Sequence, residues 1–155
     1  MSRIIRIPAF ALSLLFAVFA AACQSEEAST KSNWKAAPAF ELESISGEGE
    51  TFSSSWIGDP GKVAVMNNAF RAGETQKYMW LFWGEEEELV GQTFKIVANS
   101  ERGDSETIFE GKLGGENFGA TASSPSGLSI GSKGLWKLDA YVGDRLHGSF
   151  VVEVI

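Results

Sequence analysis

The C-terminal part of the chain contains two segments in which apolar and polar residues alternate. In 135–142, and again in 146–154, every even-numbered residue is apolar or small. This alternation is typical of strands that bury one face, and a shift of one residue would turn the whole apolar set towards water. Both apolar faces meet one core only if the connecting turn has an odd number of residues, and 143–145 supplies three. We therefore predict an antiparallel hairpin. Its register places Leu138 opposite Phe150, and Trp136 opposite Val152.

Upstream of this hairpin, short runs of strand-forming residues are separated by clusters of glycine, serine, asparagine and aspartate. Seventeen glycines, five tryptophans and eleven phenylalanines favour strands joined by tight turns over helices. Because regular strands follow one another without intervening helices, the predicted fold class is all-β, an antiparallel sandwich. The predicted strands are 39–45, 62–66, 77–83, 92–98 and 106–110 (the last two paired across a turn), with a short strand near 118–122.

The N-terminal segment has the pattern of a secretory signal peptide. It carries Arg3 and Arg6 but no acid, and an apolar run then extends over 7–22. This run is shorter than the about 20 apolar residues that a spanning helix needs, and no charged stop follows it. A basic start, a short apolar middle and small residues before the cut indicate export. We therefore assign 1–22 to a signal peptide.

The residues at the end of this segment resemble a lipobox, the cleavage signal of bacterial lipoproteins. Ala20, Ala21 and Ala22 lead directly into Cys23, and Ala20 stands where leucine is usual. The resemblance implies cleavage after Ala22, a thioether-linked diacylglycerol on Cys23, and often a fatty acid such as palmitate on the new amine. Cys23 is the only cysteine, so it has no disulfide partner within the chain. The alternative is an ordinary signal peptide with a stray cysteine.

These features give an expected organisation and location. The lipidated cysteine and a small, polar tether occupy 23–36, and the β-sandwich occupies 37–155. The expected location is the extracytoplasmic face of the cell membrane, which the chain contacts through the lipid on Cys23. Without Arg3 and Arg6 the chain has 11 basic and 20 acidic residues, a formal charge of −9. An acidic surface repels phosphate backbones, so nucleic acid is not an expected partner.

The mature chain offers few residues for catalysis or for binding a metal ion or cofactor. His147 is the only histidine, it lies on a predicted strand, and the chain has no G-x-S-x-G motif. Zinc and copper sites usually need several histidines or cysteines. The acidic run 85–88 is expected to be a solvated connection, and the alternative is a calcium site. We therefore predict no catalytic residue, no metal site and no cofactor.

Three segments, 76–84, 132–141 and 148–154, are similar to a family of small lipoproteins of unknown function in Gram-positive bacteria. The resemblance extends from about Ala37 to the end, and it implies a lipid-anchored, immunoglobulin-like module that faces outward. The segment 134–140 also resembles strand F of immunoglobulin-like domains.

A second resemblance points to a different fold. The segments 37–42 and 61–65 look like the entry to thioredoxin-fold thiol peroxidases and reductases. Those proteins need a reactive thiolate just after the second strand, and 67–71 holds no cysteine.

The aromatic strand 78–83 has large side chains on both faces. Because the outer face of a two-layer sandwich usually meets water, one set needs cover. Either a loop such as 114–126 packs over that set, or the set is exposed and binds a partner protein, peptidoglycan or another glycan. The two sets are Tyr78, Trp80 and Phe82, which we take as the candidate binding patch, and Met79, Leu81 and Trp83.

We predict a non-catalytic binding or accessory module of the cell envelope, with an unknown envelope protein or glycan as partner. One alternative is an envelope hydrolase that uses carboxylates such as Asp139, Asp144 and Glu153. Another is an inhibitor-like structural module.

Overall fold

The structure, a computed structural model, describes residues 34–155; the predicted signal peptide, Cys23 and most of the predicted tether lie outside this range. The described residues form two antiparallel sheets and one helical turn. The predicted all-β antiparallel sandwich is confirmed. The elements are β1 (Ala39–Ile45), β2 (Thr51–Asp59), β3 (Val63–Met66), β4 (Gln76–Phe82), α1 (Glu86–Leu89), β5 (Thr93–Ser100), β6 (Ser105–Lys112), β7 (Ala122–Leu128), β8 (Gly134–Val142) and β9 (Arg145–Val154).

The strands are arranged as in an immunoglobulin-like sandwich. One sheet has the order β1-β2-β3-β4-β7 and the other the order β6-β5-β8-β9. The neighbours β3-β4-β7 and β6-β5-β8-β9 correspond to strands A-B-E and C′-C-F-G of immunoglobulin domains. β8 therefore takes the place of strand F, as its sequence resemblance implied. The β1–β2 hairpin extends the first sheet, and the antiparallel pairing excludes the thioredoxin-like alternative.

The C-terminal hairpin has the predicted register but a different turn. Leu138 pairs with Phe150, as predicted. The turn, however, has two residues, because Val142 pairs with Arg145, and Gly143 adopts a φ of +57° at its first position. The phase is restored by a bulge at His147, which stands as an extra residue in β9. The predicted three-residue turn is wrong because a bulge shifts the alternation by one residue just as a third turn residue would.

The main core lies between the two sheets and is rich in aromatic rings. Trp80 and Phe82 project into it from β4, and Phe94 and Leu138 meet them from the other sheet, all four fully buried. Phe82 and Phe94 pack edge to face with their ring centroids 5.4 Å apart, a favoured aromatic geometry. This layer fixes the position of β4, and with it the residues that follow at the end of the sandwich.

A second apolar cluster covers the outer face of the five-stranded sheet. We call the connection 113–121 the cover loop, because Phe118 and Ala120 from this loop pack over the outer side chains of the sheet. Phe118 adopts a φ of +49°, and its ring meets that of Trp56 at 5.1 Å. The expected cover over the outer set is confirmed. The set that it covers is Met79, Leu81 and Trp83.

Two strands rich in serine differ from the prediction. β2 was not predicted, and β7 occupies Ala122–Leu128 rather than 118–122. The run 118–122 lies mostly in the cover loop, where an isolated bridge joins Asn117 to Ala120. β7 also contains Pro125, which an edge strand tolerates because its amide side faces no neighbour. Within residues 34–155, no helix is long and apolar enough to cross a membrane.

Candidate functional site

A cleft of about 310 Å³ opens at one end of the sandwich, between the β4–β5 connection and the β8–β9 turn. Gly84 keeps part of this space open, since a Cβ atom there would lie 3.3 Å from Leu89 Cδ1. The cleft brings together the only histidine, part of the glutamate run and an aromatic residue. Its side chains with polar or aromatic chemistry are Lys62, Trp83, Glu85, Glu88, Arg145 and His147.

The bulge in β9 turns His147 towards the cleft. Its Nε2 lies 3.0 Å from the carbonyl oxygen of Lys62, and since a carbonyl only accepts, Nε2–H donates this bond. In the neutral ring, Nδ1 then remains as an acceptor. Gly148, the next residue, is required because β9 passes very close to β3 at this point. A Cβ atom there would lie 2.6 Å from Val63 Cγ1.

The cleft carries charges of both signs. Arg145 Nη2 lies 3.2 Å from Glu88 Oε2, with 74% and 57% of the two side chains exposed. An ion pair this exposed contributes little to stability, so both groups are available to other partners. Glu88 belongs to α1, a single helical turn that is held to the core by the buried Leu89. The expected solvated connection is thus a short helix with exposed glutamates, and residues 34–155 contain no cluster of potential metal ligands.

Trp83 joins the wall of the cleft to the cover loop. Its Nε1 donates to the carbonyl oxygen of Gly119 at 3.1 Å. Beside it, the hydroxyl of Thr121 donates to the carbonyl oxygen of Gly84 at 2.9 Å. These contacts hold Trp83 in place by its polar edge while the residue remains partly exposed. One wall is therefore built before any ligand arrives.

Comparison with known proteins gives a family for the chain. The family model described as a domain of unknown function (DUF4871) matches residues 25–152. The chain belongs to this family. The expected membership of a family without an assigned function is confirmed, and no curated protein matches the chain.

The fold is also similar to that in the crystal structure of a candidate lipoprotein from Bacillus anthracis. The TM-score is 0.52 at 21% sequence identity, and the match covers 79% of this chain and 87% of that chain. At this identity the similarity shows a shared fold for this DUF4871 domain.

The predicted binding patch of the DUF4871 domain is wrong, because its three side chains are buried. The exposed fractions of Tyr78, Trp80 and Phe82 are 3%, 0% and 0%. They face the other sheet and the main core. Trp80 Nε1 donates to the hydroxyl of Ser126 on the neighbouring strand β7 at 2.9 Å. Burial also raises the pKa of Tyr78 to about 12. β4 has large side chains on both faces because it lies between two apolar layers, the main core and the outer apolar cluster.

The carboxylates of the hydrolase alternative are dispersed over the DUF4871 domain. Asp139 is only 8% exposed, and its two oxygens accept hydrogen bonds from Ser149 Oγ at 2.6 Å and Asn99 Nδ2 at 2.8 Å. Glu153 lies four residues beyond Ser149 on β9, which corresponds to about 13 Å along the strand. Asp144 lies in the β8–β9 turn. These acids do not form the close pair that carboxylate-based hydrolysis uses.

Two cleft residues, Lys62 and Arg145, were not predicted as site residues. Each stands at the start of a strand or directly before it, next to a tight turn. The signal was present in the sequence: antiparallel order places the turn before β3 beside the end of β4. Side chains on both turns then meet those that follow the aromatic strand.

Proposed function

We propose that this chain is a lipid-anchored binding module on the outer face of a bacterial cytoplasmic membrane, with Gram-positive bacteria as its source. The position of Cys23 carries the anchoring part of the proposal, because the only cysteine stands where a lipobox ends. The fold shared with a candidate lipoprotein supports it. Two or more acyl chains hold a protein stably, at about 0.8 kcal/mol for each buried CH₂ group. Residues 24–36 act as the tether and span at most about 45 Å when extended.

Replacement of Cys23 tests the anchor. In a host that processes lipoproteins, we expect Cys23→Ser to move the full chain from the membrane fraction to the soluble fraction or the medium. We expect mass spectrometry of the wild type to find diacylglycerol on Cys23, and Ser25→Ala serves as the matched control that should keep both properties. Membrane retention of the Cys23→Ser chain, or an unmodified cysteine in the wild type, contradicts the anchor.

The binding part of the proposal rests on one observation, the mixed-charge cleft with its aromatic wall. By analogy with immunoglobulin folds, the cleft lies at the end formed by the B–C and F–G loops, which bind ligands in variable domains. Its lysine, arginine and glutamates suit a ligand that carries both carboxylate and amine groups. Peptidoglycan fragments with a stem peptide carry carboxylate and amine groups on a peptide that is attached to a disaccharide. They are the first ligand class that we propose for the cleft.

Titration of the purified chain with a disaccharide-peptide fragment of peptidoglycan tests the cleft. Arg145→Gln removes a charge that the fold does not need, and we expect it to weaken binding by about tenfold, the equivalent of about 1.4 kcal/mol. Lys112→Gln, at the exposed end of β6, makes the same charge change outside the cleft and serves as the control. Equal affinities of wild type and Arg145→Gln for the fragment exclude the cleft as its binding site.

A further inference from the structure

β1 is an edge strand of the five-stranded sheet and pairs only with β2. All seven residues of β1 pair with β2 in a continuous register without a bulge. The opposite edge of β1 therefore presents a row of backbone N–H and C=O groups. Natural proteins usually protect such an edge with proline, charged residues (above all lysine), a bulge or a covering segment. β1 contains no proline, lysine or bulge, and its charged residues are Glu41 and Glu43.

The other three edge strands in the described part of the chain carry such protection. β7 contains Pro125 and is bridged by Gly114 of the cover loop. β9 is covered in part, since the Ala37 amide donates to the carbonyl oxygen of Val151 at 2.8 Å. β6 pairs with β5 through a register shift that bends the ladder. Among the edges in the described part of the chain, β1 alone combines an unbroken register with the absence of both proline and a bridge from another segment.

The two faces of β1 differ in chemistry. Glu41 and Glu43 are exposed on one face, and neither lies near a basic side chain in an ion pair of the described residues. Phe40 and Leu42 lie on the other face, half-buried against the outer apolar cluster. A strand added along β1 would therefore have acids beside one face and an apolar surface beside the other.

We propose that the edge of β1 binds an extended segment of a partner protein in which basic and apolar residues alternate. The segment adds a strand to the sheet, its backbone bonds to β1, and its basic side chains lie beside Glu41 and Glu43. Charge complementarity selects this occupant over a second copy of the chain. Symmetric antiparallel pairing of two copies about Leu42 would set Glu41 directly opposite Glu43 of the second copy, and like charges in that position destabilise a sheet.

Synthetic peptides test the mode of binding to the full chain purified in detergent. The probe is the acetylated heptapeptide Val-Lys-Val-Lys-Val-Lys-Val, and its scrambled form keeps the composition but places all lysines together. We expect the alternating peptide to bind at least about tenfold more tightly than the scrambled one. N-methylation of the amides along one peptide edge removes two or three bonds and abolishes binding. N-methylation along the other peptide edge should leave the affinity within about twofold of that of the unmethylated peptide.

Charge reversal on the protein tests the place of binding. The double variant Glu41→Lys with Glu43→Lys should bind the lysine peptide more weakly. It should bind a peptide with glutamate in place of each lysine more tightly. Glu106→Lys with Glu110→Lys makes the same change in net charge on edge strand β6 and should leave the order of affinities unchanged. Equal losses in both double variants, equal effects of N-methylation on either peptide edge, or a dimer of the free chain that forms through β1 would overturn the proposal.

Discussion

The outer faces of the two sheets differ in chemistry, since one is apolar and covered and the other is polar. The outer face of the five-stranded sheet carries an apolar cluster centred on Trp56 and Leu81, both fully buried under the cover loop. The outer face of the four-stranded sheet carries a polar network in which Asp139 accepts hydrogen bonds from Asn99 and Ser149. On the same face, Lys95 lies over the ring of Tyr141 at 5.1 Å. One face is therefore a second core, and the other is a hydrated surface.

This difference determines which apolar side chains of the sandwich a partner could reach. Large apolar side chains on an outer face indicate a docking patch only if no part of the chain covers them. Here the loop between β6 and β7 provides that cover, and Trp83 is the one aromatic residue of the outer set that also borders a cleft. The cleft that we propose as a binding site therefore lies at the margin of the covered face, where the loop ends.

The largest expected effect compares an aromatic residue on each outer face. Trp56→Ala should lower the free energy of unfolding by about 3–5 kcal/mol, because a fully buried indole leaves a cavity and also loses its bond to Ser54 Oγ at 2.8 Å. Tyr141→Ala, from the hydrated face, should cost only about 1 kcal/mol. Urea unfolding of the two variants measures the difference. Similar losses would mean that the cover loop does not make a second core.

The second effect isolates the main core on the inner face of the same sheet. Below pH 10 the Tyr78 phenol is protonated in both folded and unfolded chains, so it adds no pH dependence. Between pH 10 and its folded pKa of about 12, the unfolded chain loses the proton first, and stability falls by up to about 3 kcal/mol. Tyr78→Phe should remove this alkaline loss, as unfolding measured between pH 9 and 12 can show. An unchanged alkaline slope in Tyr78→Phe would contradict the assignment.

The third effect concerns the hydrated face. Asp139→Ala leaves the donors of Asn99 and Ser149 without their acceptor, and we expect a loss of about 2 kcal/mol in the free energy of unfolding. Glu153→Ala, an exposed carboxylate on the neighbouring strand, should change it by less than about 0.5 kcal/mol. Thermal or urea unfolding checks both. If the two variants lost equal stability, the network would not hold this face together.

The same contrast explains which parts of the fold could be predicted. The C-terminal hairpin alternates cleanly, so the packing constraint on one face determined the pairing of Leu138 with Phe150 even though the turn was wrong. β2 alternates poorly, because three serines occupy 53–55, and because Trp56 faces the second core while Ile57 packs against the first. A strand covered on both faces by different layers has no simple period of two.

The candidate site was less predictable than the fold, for a physical reason. Trp83, Glu88 and His147 are each ordinary residues in the sequence, and only the meeting of two turns with the β4–β5 connection places them together. The bulge at His147 and the glycine at position 84 shape the cleft. In the sequence, the bulge cannot be distinguished from a third turn residue, because either one shifts the apolar alternation by one residue. Long-range register, not composition, forms this site.

The smallest expected effect lies in the cleft itself. Glu88→Gln removes one half of an exposed ion pair with Arg145, and the free energy of unfolding should change by less than about 0.5 kcal/mol. The matched control is Glu86→Gln, which neutralises an exposed glutamate of the same helical turn that has no ion pair among the described residues. Urea unfolding at low and high salt measures both. A loss above about 1 kcal/mol for Glu88→Gln alone would mean that the pair supports the fold, whereas a negligible loss leaves both charges available to a ligand, as the cleft requires.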